Sequence, residues 1–165
     1  METYEMGAGT HHFLGSLVTK SLQATSEGVS PFLVIDGQQR LTTLTILLAA
    51  IRGAVREQNP RAAERIHNLY LTNQYAAGSY HYKLLPTQAD RQAYASIIDG
   101  TPNGAETLIH HVCRYFHRML IGADPVEDDA EVEGVDLDRL EKVIIGGLEM
   151  VSITFGQDGN EYHIF

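Results

Sequence analysis

The sequence contains a single cysteine, Cys113, among 165 residues. It therefore forms no internal disulfide and offers no cysteine-built zinc site, which suits a reducing compartment. No apolar run approaches the ~18 residues that a membrane span requires, and the N-terminus is polar. The expected setting is soluble and cytoplasmic. Positive charge is also scarce: 12 Lys and Arg stand against 21 Asp and Glu, a net charge of −9. Indiscriminate nucleic-acid binding needs a basic face, so that class is disfavoured, although a local basic pocket is compatible with an acidic chain. No internal repeat, Walker loop, Rossmann fingerprint or Ser/His/Asp arrangement is evident. What the chain does have is apolar material, 44% of it, enough to form a core and to exclude global disorder.

Local patterning predicts an α+β fold. His11 to Thr19 and Pro31 to Ile35 are short runs rich in β-branched and aromatic residues, and LQATSEGVSP between them carries turn residues, so they read as two neighbouring strands. From Gln38 the period becomes helical. Leu41, Leu44, Leu48, Ile51 and Val55 form a stripe that Ile46 and Leu47 widen, as in a buried helix. Asn59-Pro60 reads as an N-cap followed by proline at the first helical position, opening a helix to about Asn73. A short strand is expected at Tyr80 to Leu85. Thr87 and Asp90 resemble a capping box for a helix ending near Gly100. Ala105 to Ile121 is another helix, and Asp124 to Asp136 is an acidic loop. Asp136 is expected to cap a helix to Ile145, and Leu148 to Phe155 alternates like a strand able to rejoin the first sheet. The expected organisation is a strand-loop-strand-helix core over residues 1–58 and a helical extension with a late strand over 59–165, together one compact domain.

The stretch FLVIDGQQRLTTL at 32–44 poses a specific question. Arg40 falls in the first turn of a helix, where the dipole already presents positive charge and a cation is unfavourable by about 0.3–1 kcal/mol. On shape alone two explanations stand level. In the first, Asp36 is an N-cap, Gln39 its capping-box partner, and Gly37 eases the turn. In the second, the turn is an anion site. Free backbone N–H groups at Gly37, Gln38 and Gln39, the amides of Gln38 and Gln39, and the planar fork of Arg40 would grip phosphate oxygens, with the Thr42 and Thr43 hydroxyls nearby. Asp36 would then bind a divalent metal such as Mg2+ or orient water.

FLVIDGQQRLTTLTILLAAIR closely resembles the signature of the ParB/sulfiredoxin-like N-terminal domain of GmrSD-type restriction proteins. HFLGSLV at 12–18, KLLPTQADRQAY at 83–94 and MVSITFGQDGNEYHIF at the end extend the resemblance over most of the chain. The resemblance implies a nucleotide-handling module of bacterial restriction and phage defence. Asp36 and Arg40 would be catalytic, Asp36 the metal ligand, and Gly37, Gln38, Gln39, Arg40, Thr42 and Thr43 the NTP phosphate site, with Mg2+ as cofactor. In such proteins a separate HNH-type domain usually cuts DNA. Relative to the family pattern, an upstream YQR-type segment, a downstream IFE-x-x-N stretch and the HNH domain are missing, so the chain reads as a fragment whose turnover depends on them. The competing functional readings are a sensor of modified DNA that holds a backbone phosphate in the same pocket, and an inert scaffold.

Other constellations read as structural. His110, Arg114 and His117 recur at helical spacing roughly opposite the apolar stripes Leu108/Val112/Tyr115/Met119 and Ile109/Cys113/Phe116/Leu120, which suggests a solvated face rather than a zinc site. Cys113 on its stripe reads as an inert buried thiol. Tyr70, Tyr75, Tyr80 and Tyr82, with His81 and Lys83, suit packing better than nucleobase stacking.

Overall fold

The computed structural model describes residues 11–23, 28–101, 106–122 and 136–156. The architecture is α+β: the described residues form a three-stranded sheet, five α-helices and two short turns of other helix types. The chain divides into two compact units, residues 1–41 with 143–165, and residues 42–142.

In the first unit, strand β1 (His12–Ser21) lies between β2 (Phe32–Asp36) and β3 (Leu148–Phe155). β2 runs antiparallel to β1, as a short connection allows, whereas β3 runs parallel to it and needs a long crossover. The three strands fall where their β-branched and aromatic composition places them. Across the β1–β3 pair the Thr19 and Thr154 hydroxyls meet at 2.9 Å. The β1–β3 register slips between Phe13 and Ser16. Gly15 sits in that slip at φ +104°, a conformation that L side chains rarely adopt.

Helix α1 (Gln38–Val55) begins in the first unit and continues into the second, where it buries Ile46, Leu48, Ala49, Ala50, Ile51 and Val55. Helix α2 (Pro60–Ile66) begins as expected: the Asn59 side chain accepts from the Ala62 N–H, and Pro60 takes the position where a missing donor costs nothing. It does not continue as an α-helix to Asn73. His67–Leu71 widens into one π turn, closed by Thr72, whose backbone N–H and hydroxyl both donate to the His67 carbonyl. Thr72 is 1% exposed, so both polar groups require those bonds.

The short strand expected at Tyr80 to Leu85 is a 3₁₀ turn at Gly78–His81, followed by one bridge from Thr72 to Tyr82. Asn73 takes its place in that pairing by donating its side-chain amide to the Tyr80 carbonyl. Helix α3 (Arg91–Asp99) starts after Asp90, not at Thr87; the Thr87 hydroxyl donates to the Asp90 carboxylate within the preceding turn. Gly100 ends α3 in the left-handed conformation.

Helix α4 (Leu108–Leu120) corrects the expected faces. Ile109 and Leu120 are buried, but Leu108, Tyr115 and Met119 are exposed. His110 and His117 are not on a solvated face. His110 Nδ1 accepts from the Thr107 backbone N–H, and its Nε2 lies 2.9 Å from Ser96 Oγ, which donates to the Ala93 carbonyl. These bonds are met together by the tautomer with the proton on Nε2. His117 packs over Gly53 of α1, where a Cβ would stand 3.3 Å from its ring. Helix α5 (Leu137–Gly146) is capped by Asp136, which accepts from the Arg139 N–H at 3.0 Å. The acidic loop at 124–135 and the GQDGN turn at 156–160 lie wholly or largely outside the described residues. Among the described residues, no helix is long and apolar enough to cross a membrane.

Candidate functional site

The end of β2 delivers the chain to Asp36, and Gly37 turns it into α1. Gly37 is buried at φ +94°, and an added Cβ would meet Leu17 Cδ1 at 3.0 Å and the Ser16 carbonyl at 3.2 Å. Only glycine meets both the backbone and the space requirement. The Gly37 carbonyl accepts the first helical bond, from Leu41 N at 3.1 Å. Gly37, rather than Asp36, therefore holds the N-cap position.

The Asp36 carboxylate is engaged elsewhere. Arg40 reaches back along the turn so that its Nη2 donates to Asp36 Oδ2 at 3.1 Å and to the Ser16 carbonyl of β1. The guanidinium lies over Gly15, where a Cβ would stand only 2.9 Å from Nη1. Two glycines of positive φ, one in the β1 slip and one in the turn, thus clear the space for one arginine. The cation in the first turn is balanced by a carboxylate and a backbone carbonyl. Nε of Arg40 is buried without a partner, and Nη1 makes no hydrogen bond among the described residues.

An open pocket of about 380 Å³ is lined by six consecutive residues, Ile35 to Arg40. Gln39 presents an exposed side chain there, while Gln38 donates its amide to the Val34 carbonyl at 2.8 Å. The first-turn N–H groups have no helical partner by construction. Thr42 and Thr43 stand further along α1 and do not line the pocket. Asp36 is the one carboxylate of the lining, and its Oδ1 makes no hydrogen bond among the described residues. A single carboxylate, completed by phosphate oxygens and water, is a donor set that suits magnesium. No cluster of three His, Cys, Asp or Glu that would hold a metal by itself occurs among the described residues.

Gly15 lies outside the DGQQR pattern and yet makes room for Arg40. Its signal was a glycine inside a strand pattern, which marks a bulge or a close approach by another group. Elsewhere, Cys113 is half-buried, and burial pushes its thiol pKa up, as an inert thiol requires. Within the tyrosine patch, His81 and Tyr82 meet edge to face at 5.1 Å, the Tyr82 hydroxyl donates to Asp99 at 2.8 Å, and Tyr75 is 96% exposed.

The site is thus a strand that turns through glycine into a helix, with an Asp–Arg pair at the turn. The chain belongs to the family of N-terminal domains of GmrSD restriction endonucleases, which it matches over residues 4–165. It is thus a restriction and defence domain. No curated protein matches it.

Proposed function

We propose that this domain binds a nucleoside triphosphate at the Asp36–Arg40 turn and, within its restriction protein, hydrolyses it. The observation that carries this reading is the pocket itself. One turn brings together free first-turn N–H groups, the Gln39 amide, the Arg40 guanidinium and a lone carboxylate. Phosphoryl transfer chiefly demands stabilisation of charge on the transferred group, and these are the group types that supply it. Asp36 would hold Mg2+ through Oδ1, and the ion would supply further neutralisation of phosphate charge. Asp36 also fixes the orientation of Arg40 through Nη2.

Calorimetric titration with GTP and ATP, with and without Mg2+, tests the proposal beside Gln39→Ala. Gln39 is exposed, so its loss leaves the fold intact and is expected to weaken nucleotide binding several-fold. An affinity equal to that of the unmodified chain, or no binding by either, would overturn the assignment of this pocket.

One observation favours a second reading. Arg40 already has two acceptors, so the pair can serve as a clamp between β1 and the turn in a scaffold that needs no ligand. A chain that loses stability on Arg40→Ala while binding neither nucleotide would support that role. A third reading, a modified-DNA sensor holding a backbone phosphate here, is distinguished by retention of modified duplex without nucleotide affinity.

A further inference from the structure

A second concavity, of about 340 Å³, is lined by Asn59, Arg61, Ala62, Arg65 and Lys142. Three of these five residues are cations and none is an anion, on a chain of net charge −9. Arg61 and Arg65 stand four residues apart on one face of α2, where like charges repel, and Lys142 of α5 adds a third. Arg65 is paired with Glu141, which leaves two cations of the lining without an ion-pair partner among the described residues.

Arg65 is held in place. Its Nη2 donates to Glu141 Oε2 at 2.8 Å, and the Glu141 side chain is 5% exposed. This carboxylate therefore anchors the guanidinium from behind and is not part of the lining. Arg61 and Lys142 are exposed and make no ion pair among the described residues. Asn59 Oδ1 is taken by the Ala62 N–H, which leaves the amide nitrogen as a further donor.

We propose that this pocket is a phosphate site, distinct from the Asp36–Arg40 turn. A planar fork fixed by a buried carboxylate, with two unpaired cations beside it, matches the tetrahedral oxygens of a phosphate group. The lining has no aromatic residue on which a nucleobase would stack. The site therefore takes the phosphate alone and reads no sequence. That phosphate belongs to a duplex DNA backbone or to a free oligophosphate.

The test compares the unmodified chain with Arg61→Gln/Lys142→Gln, using Lys83→Gln/Arg91→Gln, two exposed cations outside this pocket, as the control for net charge. Arg65 is left intact so that Glu141 keeps its partner. The probes are a fluorescein-labelled random-sequence duplex, followed by anisotropy over a salt series, and inorganic triphosphate, followed by calorimetry. A backbone site lowers the slope of log K against log salt by about 2 in the Arg61→Gln/Lys142→Gln variant. A free-oligophosphate site instead weakens triphosphate by about tenfold or more and leaves DNA unaffected. The proposal is overturned if the unmodified chain binds neither probe, if the Arg61→Gln/Lys142→Gln variant binds both equally well, or if its loss is no larger than that of Lys83→Gln/Arg91→Gln.

Discussion

The side chain that Gly15 lacks is what lets Arg40 lie across β1: a Cβ there would come within 2.9 Å of Nη1. Gly37 is constrained more severely, because its hypothetical Cβ would press on the Ser16 backbone carbonyl at 3.2 Å as well as on Leu17. A guanidinium tip can move aside, whereas backbone cannot. Gly15→Ala is therefore expected to cost about 1–2 kcal/mol, chiefly from its positive φ, and Gly37→Ala more. Urea denaturation of the two variants gives the ranking directly, and the reverse order would contradict this account of the turn.

The Asp36–Arg40 pair is partly exposed, at 52% and 37% of the side chains, so its contribution to stability is small, about 0–1 kcal/mol. Asp36→Asn should accordingly melt close to the unmodified protein. Its effect is expected in the ligand measurements: Mg2+-dependent enhancement of nucleotide binding disappears while Mg2+-independent binding persists. Retained enhancement would remove Asp36 as the metal ligand.

His67 introduces a pH dependence of defined sign. Its Nδ1 meets Arg52 Nη1 at 2.9 Å, and burial, reinforced by the Arg52 charge, lowers its pKa below the ordinary 6.5. The unfolded chain therefore binds a proton here before the folded chain does. This contribution to stability is complete above pH 6.5 and is lost as the pH falls from there through the folded-state value. Melting temperatures recorded between pH 8 and pH 5 should fall on acidification, and His67→Gln should flatten that fall.

Arg65 and Glu141 form an unequal pair, with the carboxylate side chain at 5% exposure and the guanidinium at 51%. Removing the arginine strands a buried carboxylate, so Arg65→Met is expected to cost about 1–3 kcal/mol. Arg65→Met/Glu141→Leu should recover most of that loss, because neither charge is then left without its partner. A double variant as unstable as Arg65→Met would indicate that packing, not charge, dominates at this position.

The two glycines and the arginine also show how far local reasoning reaches. FLVIDGQQR announced a strand, a glycine turn and a helix from adjacent residues, and all three are present. It also raised the right question about Arg40. The answer lay 24 residues upstream, in the Ser16 carbonyl and the space over Gly15, and no local pattern contains that pairing. His110 was misread for the same reason. Its helical position placed it away from the apolar stripes, but Ser96 of α3 and the Thr107 N–H supply partners that draw the ring into the packed side.

Short-range chemistry determined the elements of this protein. β-branched runs became strands, Asn59-Pro60 and Asp136 started helices, and Gly100 stopped one, because each effect acts within about one turn of chain. The tertiary structure alone decided that β3 pairs parallel to β1, that Arg40 is clamped to the Ser16 carbonyl, and that Arg65 and Lys142 line one basic pocket. Those pairings join residues 24, 77 or about 135 positions apart, and what brings them together is the burial of shared apolar surface, not any preference of the chain at either position.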